Sequence, residues 1–353
     1  MTTAVNVIGL QRAAETYQKD FMLLPYALLI PVLQELKISM LEVNNKDIVI
    51  VKERAGGAAR PYVAGAMNYK NEISRLIERT LETYTAVAPI KDNITNYKSK
   101  QVLFDAAKNK INNQSKQHPL ERDIIADMIT TVGEDIIDCL FHAVRNVADQ
   151  TPQGMANGYW TLADALIVAG EISDAKGNLV DCDALTAPAN GTDLTAFNSL
   201  RDWLRNVDQK WRQKPAVLYI PYSSLINVKD SLENKKTSYK DVTFASLLTQ
   251  LQEDAGIPNL QIVSHYCLGI GDRLMLTEPG NLDLGMNTFG DAGFVQVRNP
   301  FEDPNEVQFW NQFEIGMRIK NLNKRGFMIS DGSVTANELS GDYVSGSGSG
   351  VGV

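Results

Sequence analysis

Between Leu120 and Asp149 apolar residues recur at Ile124, Ile125, Met128, Ile129, Val132, Ile136, Ile137, Leu140, Phe141 and Val144. Steps of one, three and four place them on one stripe of a helix. Pro119 stands just ahead, where a missing N–H costs nothing. Glu121 and Asp123 fall in the first turn, where the helix dipole favours negative charge, and Pro152 and Gly154 come after the end. The spacing predicts a helix over Leu120–Asp149, about 45 Å long at ~1.5 Å per residue, with Gly133 as a bend. A one-sided helix of that length has to lie along a sheet or along other subunits.

The remaining pattern arranges itself around this rod. Phe21–Leu33 is the most apolar run, and Pro25 and Pro31 argue against a single regular helix or a central strand there. Such an apolar arm can be covered by its own domain or by a neighbouring subunit, and the pattern leaves both open. "DIVIVKE" (Asp47–Glu53) is rich in β-formers, and "RAGGAARP" (Arg54–Pro61) reads as a turn. Asn68–Val87 fits both helical and strand periods and is read as the return half of a two-stranded excursion with room for a helical piece. Lys91–Lys116 is polar and Asn-rich, a connector with a short helix near Val102–Ile111.

Beyond the rod, Trp160–Ala169 predicts a short helix and residues 171–192 a loop. Leu194, Phe197, Leu200, Leu204, Val207 and Trp211 mark an amphipathic helix. "PAVLYIP" (Pro215–Pro221) is a short buried strand. Val242–Pro258 is a helix with Gly256 as its C-cap, with strands after it at "LQIVSHYCL" and "DRLMLTEP". Near the end, Phe309, Phe313, Ile315, Met317 and Ile319 alternate with Trp310, Gln312, Glu314, Arg318 and Lys320. That is a strand half buried and charged on its other face. "NLNKRG" then turns the chain and "FMIS" returns along it.

Composition narrows the function classes. The chain has 353 residues, enough for two domains or one elaborate one. A net charge of −8 and a pI near 5.1 argue against a dedicated nucleic-acid binder. Three widely spaced cysteines form no disulfide framework and suit a reducing compartment. The Phe21–Leu33 run is too short to span a membrane, and it comes after Glu15 and Asp20 rather than a basic segment, so a soluble, unexported protein is expected.

Candidate chemistry is sparse. No phosphate-binding loop, HExxH, GxSxG or paired CxxC motif occurs. Cys139 and His142 lie three apart, but no second pair completes a metal set. Glu134, Asp135 and Asp138 read as a solvated or interface-facing edge of the long helix. An α/β enzyme would have its site in the 216–277 lobe, around His265, Asp272 and Arg273. The expectation is no cofactor, no metal and no catalytic residue.

The order of parts is informative: the rod Leu120–Asp149 with "TPQGM" after it, then "LRDWLRNVDQKWRQKPAVLYIPYSSLINVKDSLENKKTSY", "LQIVSHYCLGIGDRLMLTE" and "FWNQFEIGMRIKNLNKRGFMIS". In this order the chain resembles the major capsid protein of tailed bacteriophages, whose fold is shared with herpesvirus capsid floors and encapsulin shells. The resemblance implies an α+β fold: an N-terminal arm (1–45), an extended β loop (46–90), a peripheral domain with a spine helix (91–180), an axial α/β domain (181–280), peripheral return strands (281–335) and a flexible tail (336–353). It implies self-assembly into pentamers and hexamers of an icosahedral shell around double-stranded DNA, in a virion assembled in the host cytoplasm. Implied partners are further copies of the chain and separate scaffolding, portal and decoration proteins, without sequence-specific DNA contact and without a membrane. An encapsulin-like cargo shell is the near alternative. Expected subunit contacts lie in Phe21–Leu33, Ile48–Glu53, Arg54–Pro61 and Arg79–Val87, with Phe21, Leu24, Leu28, Ile48, Ile50, Arg54, Arg60, Arg79, Glu134 and Asp138 as the candidate residues.

Overall fold

The structure is a computed structural model, and it describes residues 10, 28–43, 45–54, 74–93, 119–149, 151–235, 242–287, 295–298 and 306–335. Phe21, Leu24 and Arg60 lie outside the described residues, as do residues 94–116 of the expected connector, where a short helix was expected near 102–111, and the tail; Lys91–Asn93, read as connector, are the end of a strand. In chain order the elements are α1 (residues 28–35), β1 (Ser39–Glu42), β2 (Lys46–Arg54), β3 (Ser74–Glu82), β4 (Tyr84–Asn93) and α2 (Pro119–His142). Next come α3 (Tyr159–Val168), α4 (Thr195–Arg205), β5 (Ala216–Tyr219), α5 (Tyr222–Lys235), α6 (Phe244–Ala255), β6 (Leu260–Val263), β7 (Ile270–Gly271) and β8 (Met275–Thr277). The chain ends with β9 (Leu282–Met286), β10 (Val295–Arg298), β11 (Glu306–Ile319), β12 (Phe327–Ile329) and β13 (Val334–Thr335). It divides into two compact units, Met1–Gly158 with Leu282–Lys320, and Tyr159–Asn281 with Asn321–Val353.

In the first unit β11 is the axis of a five-stranded sheet. Its first half pairs antiparallel with β4, from Glu306↔Asn93 to Ile315↔Tyr84. β10 and β9 pair with β11 at Asn311–Gln308 and Ile319–Ile315, and β1 adds parallel to β9. Val307, Phe309, Phe313 and Ile315 are buried, as the alternation predicts. From Ile315 onward both faces are buried, because the root of another hairpin covers the second one. The apolar arm is more regular than its prolines suggest. Residues 28–35 are helical, Pro31 included, and Leu29, Leu33 and Leu36 are buried within the chain itself.

The long helix is shorter than its apolar stripe. Ile125, Ile129, Val132, Ile136, Leu140 and Phe141 are buried, but α2 ends at His142, seven residues before the expected Asp149. There the backbone finds other partners. Val144 N donates to Gln153 O (3.0 Å), Asn146 N to Gly154 O (3.1 Å) and Gly158 N to Ala143 O (2.8 Å), while Arg145 N donates to Asn157 Oδ1 (2.9 Å). A Cβ at Gly158 would come within 2.4 Å of the Phe141 carbonyl carbon, so only glycine lets the two segments approach. Val144, included in the helical stripe, is exposed.

The second unit holds a four-stranded sheet in the order β12-β8-β5-β6. β5 is parallel to β6 and antiparallel to β8. The connection from β5 to β6 runs through α5 and α6, as a parallel crossover requires. The core joins Phe197, Leu200 and Trp203 of α4, Leu218 of β5, Leu225 and Val228 of α5, and Leu247 and Leu251 of α6. Thr243 caps α6 by accepting from Ser246 N, and Gly256 closes it at φ 70°. The unit begins at Tyr159, and near its start Trp160 Nε1 donates to Leu268 O (3.3 Å) and Asp164 pairs with Arg273 (2.6 Å). One expectation is corrected here. "FMIS" does not return along β11: Phe327–Ile329 pair with β8, and Val334–Thr335 pair with β7. Strand β8 has an open edge there that β12 fills.

Candidate assembly interface

β2 and β3 form a two-stranded ribbon of their own, in register from Lys46↔Glu82 to Arg54↔Ser74. Alternation sorts its side chains onto two faces. One carries Ile48, Ile50, Lys52, Leu76, Glu78 and Thr80. On it Ile48 is 51% exposed, Ile50 59% and Leu76 63%, a stripe of large aliphatic groups facing water. The other face carries Asp47, Val49, Val51, Ile77, Arg79 and Leu81, half buried along the ribbon and fully buried at Leu81. A lone ribbon is at best marginal in water, so its position depends on how the root is held.

Three alternate residues of β11 form that seat. The Glu314 carboxylate accepts from Asn45 N (3.2 Å) and Thr83 Oγ1 (2.9 Å), the two residues flanking the ribbon. Gly316 lies against the Glu82 carbonyl, which a Cβ would meet at 2.1 Å. Arg318 is 2% exposed at its side chain and binds Asp283 Oδ2 through Nε (3.2 Å) and Nη2 (2.7 Å). It also reaches the ribbon at Asp47 Oδ2 (3.2 Å), Asp47 O (3.4 Å) and Arg79 O (3.2 Å). The fully buried Asp283 has a second cation in Lys320 (2.9 Å). A buried carboxylate is tolerated only with such partners.

The expected contact residues therefore fall in different surroundings. Ile48 and Ile50 share the exposed stripe. Arg54 is the last residue of β2, and Arg79 is half buried with its carbonyl on Arg318. Leu28 is half buried in α1. Glu134 is exposed and Asp138 half buried on α2. Between them, burial and the charges of Asp138 and Glu134 push the Asp135 carboxyl up to about 6. Pattern reading missed Leu76, the third member of the stripe, and the seat itself. Its signal was a glycine between two charges, Glu314–Gly316–Arg318, at alternate positions on one face of β11.

The candidate chemistry resolves into local bonds. Cys139 Sγ contacts Pro152 O (2.9 Å), and burial holds its thiol well above the ordinary range. His265 Nδ1 faces Cys267, Asp272 Oδ1 accepts from Ser333 N (2.9 Å), and Arg273 is held by Asp164. The second unit does carry a cleft of about 350 Å3 lined by Asp181, Cys182, Asp183, Asn198 and Asp202 among others. Burial and the charges of Asp183, Asp272 and Asp331 push the Cys182 thiol up to about 12, leaving it protonated and a poor nucleophile at neutral pH. Among the described residues no group of three or more His, Cys, Asp or Glu is placed to hold a metal ion, and no helix is long and apolar enough to cross a membrane.

No protein-family model matches the chain, and no curated protein matches it in sequence. Solved structures do. A chain of the satellite phage P4 procapsid, which includes the size determination (Sid) protein, superposes with a TM-score of 0.53 at 14% identity, covering 86% of this chain and 89% of that one. The capsid of Myoviridae phage XM1 gives 0.50 at 9% identity, over 83% and 90%. The fold is that of phage capsid proteins.

Proposed function

We propose that this chain is the structural subunit of a phage capsid, self-associating into pentamers and hexamers and through them into an icosahedral shell around double-stranded DNA. The observation that carries this reading is the ribbon. Ile48, Ile50 and Leu76 lie exposed on one face, on a projection with a fixed root. Large aliphatic groups grouped at a surface mark a contact to be covered, and an open ribbon edge can be extended by another strand. A second copy covers both, and closed rings of identical contacts limit growth. The capsid-type fold points the same way. A net charge of −8 suits a wall that encloses a polyanion without gripping it.

On this reading interfaces do the work and no residue is catalytic. Separate scaffolding, portal and decoration proteins complete the particle, and the virion is where the chain resides. Electron microscopy and size-exclusion chromatography of the purified protein test it. Rings or shells are expected from the native chain, and only small, folded species from Ile48→Lys/Ile50→Lys. A native chain that stays small and monodisperse at high concentration, even with its scaffold, would overturn the reading.

A further inference from the structure

The ribbon root is held in two ways that differ in what opening them leaves behind. Leu81 is fully buried against Gly285, the Glu82 backbone lies on Gly316, and Asn45 and Thr83 are bound to Glu314. These contacts pin the root. Arg318 acts one step further out, where Asp47 pairs with Leu81 and the next pair in register on that face is Val49↔Arg79. Its guanidinium is shared. The partner on the sheet side, Asp283, is 0% exposed and also held by Lys320, whereas Asp47 on the ribbon side is 41% exposed at its side chain.

We propose that Arg318 is a releasable latch that sets the angle of the ribbon against the main sheet. Lifting the ribbon breaks the Nη2 bond to Asp47 Oδ2 and the Nη1 bonds to the Asp47 and Arg79 carbonyls. Arg318 keeps Asp283, so no buried charge loses its partner, and Asp47 turns to water. The bonds that break are 3.2–3.4 Å; of the two to Asp283 Oδ2 that stay, the Nη2 bond is the shortest of the set at 2.7 Å and the Nε bond is 3.2 Å. The ribbon then pivots about its pinned root, Asn45 and residues 81–83. The functional consequence rests on the shell reading: with the ribbon as the contact between copies, the latch sets the direction in which one subunit reaches the next.

Pulsed electron paramagnetic resonance on dilute, unassembled chains tests the latch. Spin labels at Lys52→Cys on the ribbon and Gln308→Cys on β11, in a Cys182→Ser background, report one distance. The native Asp47 chain is expected to show one dominant, narrow distance. Asp47→Lys and Asp47→Ala are expected to raise the population of a second, displaced distance by about two- to fivefold, the factor carried by a partly exposed charge pair. Raising the salt concentration acts on the native chain in the same direction. Thermal melting by circular dichroism verifies that each variant is folded, and Asp47→Ala serves if Asp47→Lys does not fold. An unchanged narrow distance in the folded variant overturns the latch even if shells form. A shifted distance supports it even if they do not.

Discussion

Strands β5 and β2 are built from the same kinds of residue and end in opposite surroundings. β5 reads AVLY and is buried at every position. β2 carries IVIV at its centre, with Ile48 and Ile50 in water. Their difference lies in the elements that come after each strand. β5 leads into α5 and α6, and with α4 these bring apolar side chains into the core around it. β2 is paired with β3, which adds a second strand but no layer. A ribbon without a layer cannot bury both faces, and the chain fixes only its root. The second unit thus completes its own core, while the ribbon leaves Ile48, Ile50 and Leu76 exposed.

The contrast is broken most directly in the core. Leu218→Ala removes a fully buried side chain of β5, and a loss of about 2–5 kcal/mol is expected from the lost transfer energy and the cavity together. Urea unfolding monitored by tryptophan fluorescence measures it, since Trp203 and Trp211 are buried in the same unit. A loss below about 1 kcal/mol would mean that the sheet is less closed than its burial indicates. Arg318→Leu tests the place where the two regimes meet. It leaves Asp283 buried with Lys320 still beside it, and a cost of about 3 kcal/mol is expected, at the low end for breaking a buried pair because that partner remains. If Arg318→Leu costs no more than a surface substitution, the seat does not anchor the ribbon.

Much of this was legible in the sequence. The period of α2, the alternation of β11 and the helices around β5 emerge from apolar spacing, which is dictated by burial. The end of α2 was not, because Val144 continues the stripe while the backbone leaves the helix to pair with residues 153–158. The partner of "FMIS" was not legible either. A short apolar strand fits any open edge, and β8 lies some fifty residues earlier in the chain. For the interface, Ile48 and Ile50 were visible as strand residues, but strand period alone does not say which face is covered. The charged residues of β11 suggested a solvated face, yet Arg318 is buried, because its partners Asp47 and Asp283 lie far away in sequence.

The polar edge of α2 offers a test of intermediate size. Asp135 titrates near 3.8 in an unfolded chain and at about 6 in the folded one. Below the unfolded value both states are protonated, and the preference of the fold for the neutral acid is fully present. As pH rises towards about 6 the unfolded chain loses its proton first, so this contribution is lost with rising pH. Asp135→Asn is expected to flatten the pH dependence of stability between about 4 and about 6 and to raise stability at neutral pH. The effect is on the order of 1 kcal/mol once solvent screening of this half-buried group is allowed for. Urea midpoints at either end of that window measure it. A variant with the slope of the native chain would place the pH response elsewhere.

The smallest effect on the subunit is expected at an apolar side chain that faces water. Leu76 is as large as Leu218 but 63% exposed, so Leu76→Ser has little burial to lose and should leave the urea midpoint of the unassembled chain within about 0.5 kcal/mol of native. The same change removes one of the three aliphatic groups of the ribbon stripe, and if a second copy covers that stripe, assembly should weaken while the fold does not. Measured side by side, the critical concentration for shell formation should rise as the unfolding curve stays in place. A substitution that moved both would mean that Leu76 is covered by its own chain, and the division between finished core and waiting ribbon would not hold.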